Sequence, residues 1–498
     1  MKMKNLLFLL LLTSLVSFAQ EPQFVWNTAN TKPNLDITSK FYGTLSDGIY
    51  IYNNIPPSGT EFNPSITVEC FNEKLDRNFK KNITVDPLED FVNVVYLNKK
   101  AFHFKSLFSK DAGKNTLNAI GINPDGSFDK PIAIAGINAE KLSKRGRFDV
   151  ASSPDGKKLV ILSEPEWIKD ENEKITITLY NEKLEKIWSS EQTYAYPWTR
   201  AVYNEPFVNN DGTVFILKKT DMKGEGNTYS IFSFNGKSLK EFKVQLDGNK
   251  KAVTLAKAIS PEGNFTIAGY YTEDAKVKIG FGTAYHGSFI SSIDKSGESA
   301  KIMAVNPFEK RKDIVAKSLI FHENKFILMG EEFIVNSKSA ERDPKVPLGE
   351  QDMFARDYSY NAMRIYADGF DAAGKTLYNT SIKKDNSSKN DFNRWNSYFS
   401  SVMKGKLYVI FNDEKYRYDE KKKAIVFGSS PRIAVYATID PNTGVAAETR
   451  PIANFPPLFG EKEPGMYLHP DVYMKLNDNQ CIIKAENTDL YRLGMVGF

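Results

Sequence analysis

The chain has 498 residues, of which 41% are hydrophobic and 13% aromatic. This composition excludes an intrinsically disordered protein, because disorder requires low hydrophobicity, and the aromatic content suits β-strands. The 66 basic residues nearly balance the 61 acidic residues, and both signs are interspersed, so we expect no nucleic-acid partner.

The first 19 residues have the pattern of a secretory signal peptide. Residues 1–5 are basic, residues 6–18 form a short apolar run, and Ala19 supplies a small residue for cleavage. The apolar run is shorter than the roughly 20 residues of a membrane-spanning helix, and no later segment approaches that length. We therefore expect an exported protein whose mature chain covers residues 20–498, in the periplasm or at the cell surface.

A strand–turn–strand pattern recurs along the chain. The stretch SSPDGKKLVILSE at residues 152–164 places a tight Pro-Asp-Gly turn before an unbroken apolar run. Gly, Asn and Asp at such turns favour the left-handed backbone that a tight hairpin needs. Seven further turns of this kind lie at Asp47–Gly48, Asn98–Lys99, Asp211–Gly212, Glu262–Gly263, Asn324, Gly405 and Asp478–Asn479. Their spacing of about 50 to 80 residues indicates a repeat architecture.

A second series of turns alternates with the first. Its members lie at residues 72–74, 123–126, 181–183, 235–236, 294–297, 371–374 and 440–444. Two hairpins in each repeat give four antiparallel strands, which is the blade of a β-propeller. The sequence therefore predicts an all-β fold in which residues 20–498 form one propeller domain.

The two series of turns differ in number, and the difference predicts how the ring closes. There are eight turns of the first kind and seven of the second, and the last repeat ends after its third strand. A spare strand at residues 23–27 can complete that blade, since an open blade would leave unpaired edges. We predict eight blades, with seven as the second choice. The predicted blades cover residues 41–86, 90–137, 147–192, 203–247, 252–306, 314–384, 396–453 and 466–498.

Two repeats resemble a known propeller unit. SSPDGKKLVILSE and, more loosely, ISPEGNFTIAGYY at residues 259–271 resemble the TolB-type, WD40-like repeat. The resemblance implies a propeller and an envelope setting. It implies no catalytic residues, because the shared motif is a structural turn.

The long connections all fall on one face of the predicted ring. If each blade runs outward from the axis, the tight turns share one face, and the second-to-third-strand loops share the other with the links between blades. We call the latter the loop-rich face. Its longest predicted loops are residues 333–361 and 413–431. Long loops on a rigid ring commonly carry binding sites.

Aromatic residues and arginines accumulate in these connections. Trp, Tyr and Arg dominate binding hot spots, so we predict a surface that engages a protein or glycan. The alternative is that the tryptophans pack as wedges between blades. The candidate residues are Trp198, Arg200, Arg356, Tyr358, Tyr360, Arg394, Trp395, Tyr467 and His469.

The sequence carries no motif of a known catalytic site. Its four histidines, His103, His286, His322 and His469, are isolated, and we expect neither a metal nor a cofactor. The leading hypothesis is an exported envelope binding or scaffold protein. The alternative is a propeller hydrolase or lyase, for which Glu331, Glu332 and Asp413 are candidate acids, predicted where second strands end. An enzyme should show carboxylates and a histidine converging in a deep axial pocket, whereas a binding protein should show a broad aromatic and arginine surface.

The two cysteines are predicted to be separate buried thiols. Cys70 falls on the third strand of blade one and Cys481 on the second strand of blade eight. Ring closure makes these blades neighbours, but packed sheets lie about 10 Å apart, farther than a disulfide spans.

Overall fold

The computed structural model contains 33 strands and two short 3₁₀ turns in its described part. The described residues are 22–31, 38–44, 47–55, 65–166, 168, 171–197, 201–222, 226–274, 277, 282–339, 356–389, 394–418, 432–452, 455, 466–487 and 489–497. The signal-peptide prediction for residues 1–19 lies outside them. Within the described ranges, no helix is long and apolar enough to cross a lipid bilayer.

The first four blades follow one another in chain order. Blade one comprises β3 (Thr38–Thr44), β4 (Gly48–Ile55), β5 (Ser65–Phe71) and β6 (Arg77–Thr84). Blade two comprises β7 (Glu89–Leu97), β8 (Lys100–Ser109), β9 (Lys114–Ile122) and β10 (Ile132–Asn138). Blade three comprises β11 (Arg147–Ser152), β12 (Lys158–Glu164), β13 (Asn172–Asn181) and β14 (Lys186–Pro197). Blade four comprises β15 (Ala201–Val208), β16 (Val214–Met222), β17 (Gly226–Phe234) and β18 (Leu239–Lys243).

The other four blades continue the series. Blade five comprises β19 (Lys251–Ile259), β20 (Phe265–Thr272), β21 (Ala284–Ile293) and β22 (Ala300–Lys312). Blade six comprises β23 (Ile314–His322), β24 (Lys325–Ser339), β25 (Arg356–Phe370) and β26 (Thr376–Lys389). Blade seven comprises β27 (Tyr398–Met403), β28 (Lys406–Glu414), β29 (Arg432–Ile439) and the short β30 (Arg450–Pro451). Blade eight comprises β31 (Tyr467–Asn477), β32 (Gln480–Glu486), β33 (Leu490–Gly497), β1 (Gln23–Trp26) and β2 (Asn30–Thr31).

These sheets form an eight-bladed propeller, as predicted. Every sheet is antiparallel and meanders from its first strand to its fourth. First strands contact the first strands of neighbouring blades, as β11 does with β7 and β15, so the first strand lies innermost. The two short 3₁₀ turns, Leu142–Lys144 and Lys415–Tyr418, both lie in connections on the loop-rich face.

Blade three shows why an unbroken apolar run forms a blade strand. The side chains of Leu159 to Leu162 in β12 are all fully buried. Leu159 and Ile161 pack with residues of blade two, whereas Val160 and Leu162 pack with residues of blade four. Successive strand residues point to opposite faces, so a strand between two blades needs apolar residues at every position. Gly156 supplies the left-handed residue of the preceding turn, with φ 66°.

The N-terminal strand closes the ring, as predicted. β1 pairs antiparallel with β33, from Gln23 opposite Gly497 to Trp26 opposite Gly494. Asn27 then ties blade eight to blade one. Its Nδ2 donates to the carbonyl of Leu75 at 2.9 Å, and its Oδ1 accepts from the N–H of Leu493 at 2.8 Å.

Blade six differs from the prediction. Residues 333–361 were expected to form a loop, but β24 continues to Ser339 and β25 begins at Arg356. The two strands stay paired to the pair Ser339–Arg356. The loop prediction was wrong because the boundary was placed where the continuous apolar run stops. Glu331 and Glu332 interrupt the run there, but the strand continues through Phe333, Ile334 and Val335 into an exposed polar end at residues 336–338.

Both cysteines are buried free thiols. Cys70 lies on β5 and Cys481 on β32, the third strand of blade one and the second strand of blade eight. Burial raises the pKa of the Cys481 thiol to about 12, so this thiol is protonated and unreactive at neutral pH.

Phe24 tests the contribution of the closing strand to stability. Its side chain is 8% exposed and packs with Cys481 and Val496, whereas the adjacent Val25 is 67% exposed. We expect Phe24→Ala to lower the free energy of unfolding by about 3 kcal/mol through the cavity it leaves. Val25→Ala is the matched control on the opposite face of the strand and should leave stability nearly unchanged. Urea unfolding measures both, and equal effects would contradict the buried position of Phe24.

Candidate functional site on the loop-rich face

The described candidate residues fall into two groups. Trp198 and Arg200 lie outside the described residues. Arg356 begins β25, and its side chain also lies outside the described part. The remaining candidates lie either on the blade-six hairpin or where blades seven and eight meet.

The hairpin carries an aromatic row formed by Phe333, Tyr360 and Tyr358. The rings of Phe333 and Tyr360 are stacked, with centroids 6.4 Å apart and an interplanar angle of 9°. The rings of Tyr360 and Tyr358 are also stacked, at 6.4 Å and 18°. Phe333 and Tyr360 are half-buried, and Tyr358 is 41% exposed. The pairing of β24 with β25 therefore sets three rings in one line with the outermost ring in solvent.

Trp395 and Tyr467 meet between the link that precedes blade seven and the start of blade eight. Their ring centroids are 5.4 Å apart. The Nδ2 group of Asn412 in β28 donates to the Trp395 carbonyl at 2.9 Å and to the Leu468 carbonyl at 2.8 Å. Both aromatic residues are half-buried. This geometry matches the packing alternative for Trp395, because its ring and its backbone both join neighbouring blades.

Arg394 and His469 meet at Glu486, the last residue of β32. Arg394 Nη1 lies 3.5 Å from Glu486 Oε1, and His469 Nε2 lies 3.9 Å from the same oxygen. Lys484 Nζ lies 3.0 Å from the other carboxylate oxygen. Glu486 is fully buried and was not predicted as a site residue. Its signal in the sequence is a charged residue that directly ends the apolar strand CIIKAE.

Glu331, a candidate acid, is enclosed by cations. It lies in the middle of β24, not at a strand end as expected, because β24 continues for eight more residues. The ammonium group of Lys384 contacts its Oε1, Lys317 Nζ lies 3.6 Å from its Oε2, and Ser397 Oγ donates to Oε2 at 3.3 Å. Burial lowers the pKa of Lys384, and the charge of Glu331 opposes that shift.

The other two candidate acids also have charged neighbours. Asp413 accepts hydrogen bonds from Tyr418 at 2.8 Å and from Arg417 at 3.4 Å. Burial raises the pKa of the Asp413 carboxyl, and its hydrogen bonds with Tyr418 and Glu414 and the charge of Arg417 oppose the shift. Burial likewise raises the pKa of Glu332, which the charge of Arg364 opposes. The side chain of His286 lies apart from these acids, where its Nδ1 accepts from the N–H of Glu273 at 3.2 Å.

A cleft of about 1060 Å³ lies on the loop-rich face over blade three. The cleft is not evident from the sequence, because its walls come from two separate connections. Half of its described lining is charged, and the lining also includes the aliphatic residues Leu142 and Ile168. The described lining residues are Asn138, Leu142, Ser143, Arg145, Gly146, Arg147, Glu164, Pro165, Glu166, Ile168, Glu171, Asn172, Glu173 and Lys174.

A network of ion pairs and hydrogen bonds fixes the floor of this cleft. Arg147 Nη2 donates to Glu164 Oε1 at 3.0 Å. Asn204 Nδ2 donates to Glu164 at 2.7 Å and to Glu173 at 3.1 Å. Lys218, which is fully buried, donates to Glu173 at 2.5 Å. Blades three and four are thus joined beneath the cleft by charge-assisted bonds, which are the stronger class of hydrogen bond.

Arg147 also holds a second carboxylate, that of Asp149, with Nε 3.6 Å from Oδ2. Burial raises the pKa of Asp149 and of Glu164, and the nearby charge of Arg147 opposes both shifts. One cation, Arg147, and two carboxylates, Asp149 and Glu164, therefore meet at the edge of the cleft. Among the residues that the structure describes, no group of three or more His, Cys, Asp or Glu side chains is placed to hold a metal ion.

Comparison with known proteins assigns no family to this chain. No family model matches it, and no curated protein sequence matches it. Solved structures similar in shape include the WD40 domain of SCAP from fission yeast, at 8% identity and a TM-score of 0.39, covering 94% of this chain and 98% of that one. Cobalt-substituted Synechocystis ACO matches at 9% identity and a TM-score of 0.35, covering 87% and 94%. A Bacteroides caccae protein of unknown function matches at 10% identity and a TM-score of 0.30, and the match covers 58% of this chain and 94% of that one.

Asp149→Asn tests the electrostatics at the edge of the cleft. Because the pKa of Asp149 is raised in the folded protein, the folded state binds more protons than the unfolded state above about pH 4. The stability of the wild type relative to Asp149→Asn should therefore fall as the pH rises from about 4 to 7.

Asp478→Asn is the control for this measurement, because the opposite sign is expected there. A hydrogen bond from Lys475 lowers the pKa of Asp478, so its contribution to stability should grow as the pH rises. Unfolding by urea at several pH values gives both trends. The same trend for the two variants would contradict the charge arrangement around Asp149.

Proposed function

We propose that this protein is an exported binding protein of a bacterial envelope that engages a protein or glycan through the aromatic row of its loop-rich face. The observation that carries the proposal is the stacked arrangement of Phe333, Tyr360 and Tyr358. The signal-peptide pattern of residues 1–19 supports export, and the resemblance to the TolB-type repeat supports an envelope setting.

The blade-six hairpin presents these rings away from the packed sheets. β24 has 15 residues, against nine in β28 and seven in β32, the second strands of the next two blades. The eight residues beyond Glu331 span about 26 Å at the rise of an extended strand. At the outer end of the row, the ring of Tyr358 is 41% exposed and offers apolar surface to a partner. Tyrosine combines this contact area with a polar hydroxyl, which suits both a protein surface and a sugar.

The arrangement of the acids favours a binding protein over a hydrolase or a lyase. Glu331 and Glu486 are fully buried, and each is enclosed by cationic side chains of the same molecule. His469, which shares Glu486 with Arg394, is also buried. A carboxylate in such a setting contributes to the packing of blades, because removing it would leave a buried cation without its counter-charge.

Tyr358→Ala is the variant that tests the proposal. The mature chain, residues 20–498, is used to capture partners from envelope extracts and to probe a glycan array, and each hit is then titrated as a purified ligand. We expect Tyr358→Ala to weaken the binding of that ligand by about tenfold, as the loss of an aromatic hot spot does.

Leu377→Ala is the matched control for Tyr358→Ala. Leu377 has a similar exposure of 44% but lies on the outer strand of the same blade, so its loss should leave binding unchanged. Equal affinity of wild type and Tyr358→Ala for every purified ligand would show that the aromatic row is not the binding surface.

A further inference from the structure

We propose that the cleft over blade three is a second binding site, and that it takes a short peptide with free charged termini and an aliphatic side chain. The site is separate from the aromatic row, which lies on blade six. The proposal rests on the size of the cleft, on its two exposed aliphatic residues and on the charges in its walls.

The size of the cleft suits a short peptide. Its volume of about 1060 Å³ slightly exceeds the usual range for ligand pockets, roughly 300–1,000 Å³, so the whole of a short peptide fits within it. One wall is the link between blades two and three, which contains Leu142. The other wall is formed by described residues of the connection between β12 and β13, among them Ile168. The ion pairs beneath these walls give the cleft a floor that is formed before any ligand binds.

The aliphatic part of the ligand is inferred from the two walls. Leu142 is 36% exposed and Ile168 is 59% exposed, and both line the cleft. Large aliphatic side chains that are exposed on both sides of a cleft are a feature of binding grooves. An aliphatic side chain of the ligand, placed between Leu142 and Ile168, would remove all three from water.

The charged part of the ligand is inferred from side chains that line the cleft without an ion pair. Arg145 is held by Asp90 at 2.5 Å, Arg147 by Glu164, and Glu173 by Lys218. Glu166, Glu171 and Lys174 also line the cleft, and within the described ranges none of the three has an ion-pair partner.

Glu166 and Glu171 thus offer carboxylates to an ammonium group of the ligand, and Lys174 offers an ammonium group to a carboxylate of the ligand. A peptide with free termini carries both of these charges, and its side chain supplies the aliphatic group. Nucleic acids carry neither an ammonium group nor an aliphatic side chain. A peptide with two free termini has zero net charge, so the net charge of +5 on the protein does not attract it. Its recognition therefore depends on the individual charged side chains that line the cleft.

The experiment compares three forms of the peptide Leu-Gly-Leu: the free peptide, its N-acetyl form and its C-terminal amide. Isothermal titration calorimetry with the mature protein measures each affinity. We expect the free peptide to bind best, and each blocked form to bind about two- to fivefold more weakly, as the loss of one partly exposed charge contact produces.

Two variants assign each terminus to its side chains. In the double variant Glu166→Gln/Glu171→Gln, acetylation of the peptide should no longer matter, whereas amidation should still weaken binding. In Lys174→Met the reverse is expected. The double variant Glu73→Gln/Glu262→Gln is the control, because it removes two exposed acids in turns on the opposite face and should bind like the wild type.

The proposal is overturned if the free peptide shows no saturable binding. It is also overturned if both blocked forms bind as well as the free peptide, or if the cleft variants retain the preferences of the wild type. The Tyr358→Ala protein should bind the free peptide normally, so failure at the cleft is distinguishable from failure at the aromatic row.

Discussion

The pairing of β1 with β33 is the constraint on which the rest of the structure depends. Without it, blade eight would keep only three strands from the C-terminal end of the chain, and Phe24 would not fill the space beside Cys481. Asn27 extends the closure to blade one through its hydrogen bond to Leu75. Once the ring is closed, every first strand faces the axis.

Buried ion pairs form a second layer of organisation in this ring. Glu69 pairs with Arg77 in blade one, Glu173 of blade three with Lys218 of blade four, and Asp368 of blade six with Arg311 of blade five. Each of these carboxylates is buried. Such pairs add little net stability compared with apolar packing, but breaking one leaves an uncompensated charge. A shift in the register between strands or blades would separate such a pair and leave a buried charge without its partner. A contact between apolar side chains alone tolerates such a shift more easily.

Much of the fold was predictable from the sequence, because a propeller repeats its turns. The Pro-Asp-Gly turn before β12 and its counterparts mark the hairpins, and the unequal number of the two turn types predicts the closing strand. The blade-six extension was missed, because Glu331 and Glu332 interrupt the apolar run of β24 and the last four residues of the strand are polar.

The candidate sites were less predictable than the fold. Arg394, Trp395, Tyr467 and His469 were predicted to lie on one face, and they do meet there, but their common partners Asn412 and Glu486 were not identified. The cleft was missed for the same physical reason. Its walls, around Leu142 and Ile168, are separated in sequence by two strands of blade three, and only the packing of blades two, three and four forms the space between them.

The closure of the ring depends on β1. β1 is a short strand of four residues, and in the described part of the chain its ladder hydrogen bonds to blade eight are made along β33. If β1 closes the ring, its hydrogen-bonded backbone amides should be as well protected from hydrogen exchange as those of β33, the strand with which it pairs.

Native-state hydrogen exchange of residues 20–498, read by mass spectrometry, measures this directly. The account predicts that peptides covering Gln23–Trp26 and Leu490–Gly497 are protected and exchange together, at a rate similar to that of β32. Exchange of the β1 amides at the rate of an unstructured chain, with β32 and β33 still protected, would contradict it.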